Sequence, residues 1–154
     1  MKLTILLLTI ASLLITFSVN LKQDFSFLLD KVETSMKVNK PNWKLTEKEV
    51  TSKSGRYEWK LDKQYVTASI YPTRSEEDAI ELLKQTMRRV PVGPKSKLSE
   101  LGDEAYLYKS DGHEGSMILI RKANTFIQIN SSRLEHAEAF AKDINTLIQS
   151  KEEI

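Results

Sequence analysis

Apolar residues recur along this chain with three different spacings, and each spacing predicts a different element. From Leu3 to Phe17 nearly every position is apolar or a small hydroxyl residue, and Lys2 is the only charge before Lys22. After that run, Phe25, Leu28, Leu29, Val32 and Met36 fall at three- and four-residue steps, with Asp24 placed as an N-cap. This predicts an amphipathic helix over 25–37, stopped by Lys40-Pro41-Asn42, because the residue before a proline is pushed out of the helical region.

The spacing then changes to two. Trp43, Leu45 and Glu47 to Val50 predict a first strand, and Ser52-Lys53-Ser54-Gly55 a turn. Tyr57, Trp59 and Leu61 alternate with Glu58 and Lys60, and after Asp62-Lys63-Gln64 the residues Val66, Ala68 and Ile70 alternate with Tyr65, Thr67, Ser69 and Tyr71. Two alternating runs across a tight polar turn are a hairpin with one buried face. Ser75-Glu76-Glu77-Asp78 opens a helix with a serine cap and an acidic first turn, its stripe being Ala79, Ile80, Leu83, Met87 and Val90. Pro91 to Lys97 is a linker that forms neither helix nor central strand.

The second half has the same plan. Ala105 to Ser110, Met117 to Arg121 and Thr125 to Asn130 read as strands, with turns at Asp111 to Gly115 and Lys122 to Asn124. Ser132-Arg133-Leu134-Glu135 has the form of a capping box before a stripe of Leu134, Ala137, Phe140, Ala141, Ile144, Leu147 and Ile148. Arg74 to Met87 and Arg133 to Asn145 match in cap, alanine position and length, as an internal duplication or two independently capped helices would. Strands joined by tight turns run antiparallel, and helices with such stripes need a sheet face to cover. The expected class is α+β: an antiparallel sheet of about six strands with two to three packed helices, in the order α-β-β-β-α-β-β-β-α after the leader.

Composition narrows the setting. One positive charge followed by an apolar run of about fifteen residues is the form of a secretory signal peptide, shorter than a comfortable membrane span. Thr16 and Ser18 allow cleavage after Ser18, and an uncleaved N-terminal anchor is the alternative. The expectation is 1–21 as signal peptide or anchor and 22–154 as a single domain. There is no cysteine, which removes disulfides, thiolate metal sites, cysteine nucleophiles and lipoprotein acylation at cysteine. Without Lys2 the 23 basic residues fall to 22 against 21 acidic ones, so no net basic field recommends a nucleic-acid partner.

Candidate chemistry is sparse. Asp111, His113 and Glu114 share a loop, but their spacing matches no calcium or zinc pattern, and the two glycines explain a polar hairpin tip. His136 opens the last helix with no nucleophile fixed near it. No nucleophile elbow, paired-histidine zinc motif or phosphate cradle is present. Trp43, Tyr65, Tyr71, Tyr106 and Tyr108 are the candidate contact residues: outward-facing aromatics would make a platform for a glycan, a peptide or a protein. The competing reading buries them, with two helices over one sheet face and the first helix over the other. Arg88 and Arg89 bracket the linker with Lys95 and Lys97 as a candidate anion contact, or simply complement the helix dipole. Asn130-Ser131-Ser132 matches a glycosylation triplet, relevant only in a eukaryotic host.

The stretch Leu101-Gly102-Asp103-Glu104-Ala105-Tyr106, leading into a strand, hairpin and closing helix, resembles small exported bacterial proteins of uncharacterised families with a Mog1/PsbP-like shape. The resemblance spans roughly residues 55–150 and implies an antiparallel sheet sandwiched by helices; it transfers no functional residue. The resulting expectation is an exported, non-catalytic binding or accessory module of the cell envelope, contacting a protein or envelope polymer. It expects no metal, no cofactor, no nucleic acid, and membrane contact only through an uncleaved N-terminus. The alternative is an extracytoplasmic small-ligand carrier or enzyme with a pocket between the sheet and linker 90–103.

Overall fold

The computed structural model describes residues 26–91, 96–109 and 115–148. The leader, the Asp24 cap, residues 92–95 of the linker and the Asp111–His113–Glu114 turn lie outside the described residues. Helix α1 covers residues 26–39. It is followed by β1 (Lys44–Val50), β2 (Gly55–Leu61), β3 (Gln64–Pro72), α2 (Glu76–Arg89), β4 (Ser96–Lys97), β5 (Glu104–Lys109), β6 (Ser116–Lys122), β7 (Thr125–Ser131) and α3 (Leu134–Leu147). The α+β order expected from the patterning is the observed one, with one strand more than the expected six: two linker residues pair as β4 along the edge of β5.

All seven strands form one antiparallel sheet in the order β1-β2-β3-β7-β6-β5-β4. The two three-strand meanders therefore meet through β3 and β7. On the inner face, Val66, Ala68 and Ile70 of β3 and Ile127 and Ile129 of β7 are fully buried, together with Tyr57, Trp59, Ile118 and Ile120. Helices α1 (through Leu29, Val32 and Met36) and α3 (through Ala137, Phe140, Ala141 and Ile144) both cover this face. Each such aliphatic side chain contributes about 1.5–3 kcal/mol relative to exposure. The Tyr57 hydroxyl donates to the Leu29 carbonyl at 3.1 Å, tying α1 to β2. Gly55 lets Leu29 lie directly on β2, since a Cβ there would strike the leucine methyls.

The outer face carries α2, whose Leu83 packs with Tyr108, Leu119 and Phe126. Two helices thus share one face, as in the competing reading above, but the helix alone on the other face is α2 and not the first one. This layout also rules out a simple two-fold repeat of the hairpin–helix unit. The axis that pairs β3 antiparallel to β7 stands perpendicular to the sheet, so it would put α2 and α3 on the same face.

The helix ends correct a second expectation. Ser75 caps α2, its Oγ accepting from the Asp78 amide at 3.1 Å. At α3 the N-cap residue is Arg133, which makes no side-chain cap bond. Ser132 is used elsewhere, accepting from the Tyr65 amide at 3.2 Å, and Ser131 takes the Arg133 amide at 3.2 Å. The pairing of β3 with β7 draws both serines onto Tyr65, and the capping box does not form.

The Leu101–Tyr106 stretch acts as a clamp around Arg121. Gly102 sits at φ +59°, and any Cβ there would collide with the Arg121 carbonyl oxygen. Asp103 Oδ2 accepts from Arg121 Nη1 at 2.9 Å and from the Ala123 amide at 2.7 Å. Glu76 at the start of α2 reaches the same Nη1 at 3.0 Å, and Glu104 lies 3.7 Å from its Nε. One buried guanidinium therefore joins α2, the start of β5 and the β6–β7 turn, where Ala123 adopts φ 49°.

Candidate functional site

Strand alternation decides which side chains can reach a ligand. Helix α2 packs over β6 and β7, and its Leu83 shares an apolar cluster with Tyr108 of β5, Leu119 and Phe126. Among the described residues, the apolar cluster under α2 includes no residue of β1 or β2 and none of Thr67, Ser69, Gln128 and Asn130. The result is a step: α2 is the wall and the open sheet is the floor.

The middle of that floor is polar. Thr67 lies directly opposite Asn130, and Ser69 directly opposite Gln128. Asn130 Nδ2 donates to Thr67 Oγ1 at 3.4 Å and Gln128 Nε2 to Asn130 Oδ1 at 3.4 Å, both at the long limit of a hydrogen bond. Thr67 is nevertheless only 9 % exposed. Toward β1, Glu58 pairs with Lys60 at 2.8 Å and takes a hydrogen bond from Thr46. The Lys60 bond, ahead of the smaller effects of Lys60 charge, Thr46 and Arg56, holds the Glu58 carboxyl below its ordinary range.

The aromatic candidates are distributed rather than gathered. Tyr65 is 41 % exposed and stands on the outer face beside this floor, opposite Lys60. Tyr71 stacks on Phe126 at 5.7 Å, under α2. Tyr106 is half-buried there and donates to Glu104 at 2.6 Å, which raises its phenol pKa. Tyr108 is buried, its hydroxyl has no hydrogen-bond partner among the described residues, and desolvation raises its pKa. Trp43 is on the inner side, edge-on to His136 at 5.0 Å and Phe140 at 5.2 Å, lining an open hollow of about 380 Å³ between the end of α1 and β1. His136 itself contacts Gln64 Oε1 at 2.5 Å. Arg88 and Arg89 are exposed at the end of α2, Arg88 lying 3.9 Å from Glu81. Five aromatics and two arginines thus occupy four separate regions, and Tyr65 and Tyr71 flank Thr67 and Ser69 along the outer face of β3.

The residues that sequence reasoning passed over are Glu58, Thr67, Ser69 and Gln128, and Asn130 was singled out only as part of a glycosylation triplet. Their signal was present as the outward phase of two strands. Nothing local showed that those two strands are neighbours. Among the described residues, no three histidine or acidic side chains are placed to hold a metal ion, and no helix is long and apolar enough to cross a membrane.

No family model matches the chain, and no curated protein matches it. Among solved structures it is similar to the crystal structure of a GTP binding regulator from Thermotoga maritima, with a TM-score of 0.56 and 13 % identity. That match covers 77 % of this chain and 85 % of the other. At this identity the likeness is one of fold.

Proposed function

We propose that the protein is an exported, non-catalytic binding or accessory module of the bacterial cell envelope, working through the open outer face of its sheet. The observation that supports this is the polar floor Thr67–Ser69–Gln128–Asn130 on the adjacent strands β3 and β7, beside the α2 wall and outside its apolar cluster. Trp43 and Tyr106, which a single aromatic-lined pocket would bring together, lie on opposite faces. The apolar run Leu3 to Phe17 supports export. Kinship with exported proteins of Mog1/PsbP-like shape belongs to the same proposal, supported by the helix–sheet–helix layering.

The test is a photo-crosslinking residue placed at Ser69 in living cells, with Lys31 on α1 as the control position. Adducts from Ser69 in the exported fraction, absent from Lys31, are the expected result. Adducts equal at both positions, or protein retained in the cytoplasm, would overturn the proposal.

A carrier or enzyme with a pocket between sheet and linker is the second reading. The Tyr108 hydroxyl on β5, without a partner among the described residues, favours it, since β5 pairs with the linker strand β4. A small molecule held in native mass spectrometry and lost on Tyr108→Phe would raise it above the first.

A further inference from the structure

We infer that the Thr67–Ser69–Gln128–Asn130 array is a binding site for an uncharged, hydroxyl-rich ligand, namely a saccharide chain; this rests on the binding-module reading above. Two hydroxyls face two carboxamides in register, Thr67 against Asn130 and Ser69 against Gln128. The array is about 5 Å across the strands and about 7 Å along them, the footprint of a sugar ring. Each carboxamide presents a donor and an acceptor side by side, which suits neighbouring hydroxyls of one ring, and each hydroxyl both donates and accepts.

These groups are poorly satisfied by each other. Their mutual bonds are 3.4 Å long, and among the described residues the Thr67 hydroxyl bonds to Asn130 alone. Bonds at this outer limit are weak, so ligand hydroxyls at normal distances would improve the network. Charge selects the ligand further. None of the four residues ionises, and the neighbouring carboxylate of Glu58 is already held by Lys60. The floor around them mixes Glu47, Glu49 and Glu58 with Arg56 and Lys60, so neither a polyanion nor a polycation meets a uniform field. A protein partner would be expected to seat apolar anchors at the centre of its interface, and here the centre is amide and hydroxyl. Tyr65, two residues before Thr67 on the same face, offers a ring for the apolar side of a sugar.

The test uses the isotopically labelled protein as purified from cells, titrated with tri-N-acetylchitotriose and with maltotriose, plus sedimentation with purified cell-wall glycan. Shifts in the Gln128 and Asn130 side-chain amides and the Thr67 and Ser69 backbone are expected, at least tenfold weaker in Thr67→Val and in Gln128→Ala. Thr67→Val keeps the side-chain shape, so a folded variant is available for the comparison. Co-sedimentation identifies a polymer as the source of the sugar, and shifts without it identify a free saccharide. Shifts absent up to ~10 mM sugar, or unchanged in both variants, overturn the inference. Ser69 crosslinks to a protein without sugar shifts sink the saccharide and leave the binding module standing; loss of both sinks both.

Discussion

Asp103 and Arg121 meet at 2.9 Å across the start of β5 and the end of β6, and the same Asp103 oxygen holds the Ala123 amide at 2.7 Å. One carboxylate oxygen therefore both neutralises a buried guanidinium and fixes the turn that aligns β6 with β7. Breaking a buried ion pair from one side typically costs about 3–5 kcal/mol. Asp103 is 45 % exposed, so solvent screening lowers this. Asp103→Ala is expected to lose roughly 1–3 kcal/mol in urea denaturation, and Asp103→Asn less, because its amide oxygen still accepts from Ala123. Equal losses in the two variants would show that the turn bond contributes little.

Gly102→Ala meets two penalties at once. It adds a Cβ at a positive φ and drives it into the Arg121 carbonyl, which is backbone and cannot turn aside. The expected loss exceeds about 1 kcal/mol, read as a lower thermal midpoint. A midpoint matching the parent protein would mean that the clamp relaxes freely.

The two serines that begin the helical segments should differ. Ser75→Ala removes a working cap and should cost about 1 kcal/mol, with faster amide exchange in the first turn of α2. Ser132→Ala removes only an exposed bond to the Tyr65 amide, so its effect should be smaller and leave exchange at the start of α3 unchanged.

Glu58 should titrate below its ordinary value of 4.5, chiefly because Lys60 donates a hydrogen bond to it. Its folded-state pKa is depressed, so the stability it contributes is present above the unfolded value and is lost as pH falls through the folded one. The window lies below pH 4.5. Carboxyl chemical shifts followed against pH check this, and Lys60→Met should move the midpoint back up.

Leu83 is the apolar anchor of α2, and Leu83→Ala should cost about 2–5 kcal/mol. Val38, 71 % exposed on α1, should tolerate serine within about 0.5 kcal/mol. A large loss at Val38 would reveal a contact on the outer side of α1.

Much of this architecture was legible because it is local. The Tyr57–Trp59 and Val66–Ala68–Ile70 alternations became facing strands in the expected hairpin, and the stripes of α2 and α3 became their buried faces. The missed parts involve distant partners. Ser132 had the sequence form of a cap, yet Tyr65, 67 positions away, claims it. The outward aromatics could not be sorted by phase alone, since Tyr65 and Tyr71 share a strand face but only Tyr71 lies under α2.

What the sequence determined by itself was the list of elements, their amphipathic faces and their antiparallel hairpins. Those follow from side-chain periods and turn residues acting over a few positions. Only the tertiary structure decided that β7 inserts beside β3, and that α1 and α3 share a face while α2 takes the other. These are choices among ways of burying the same apolar stripes, and no local pattern distinguishes them. The candidate site follows from that choice, because Thr67 and Asn130 are brought opposite one another only by long-range strand pairing.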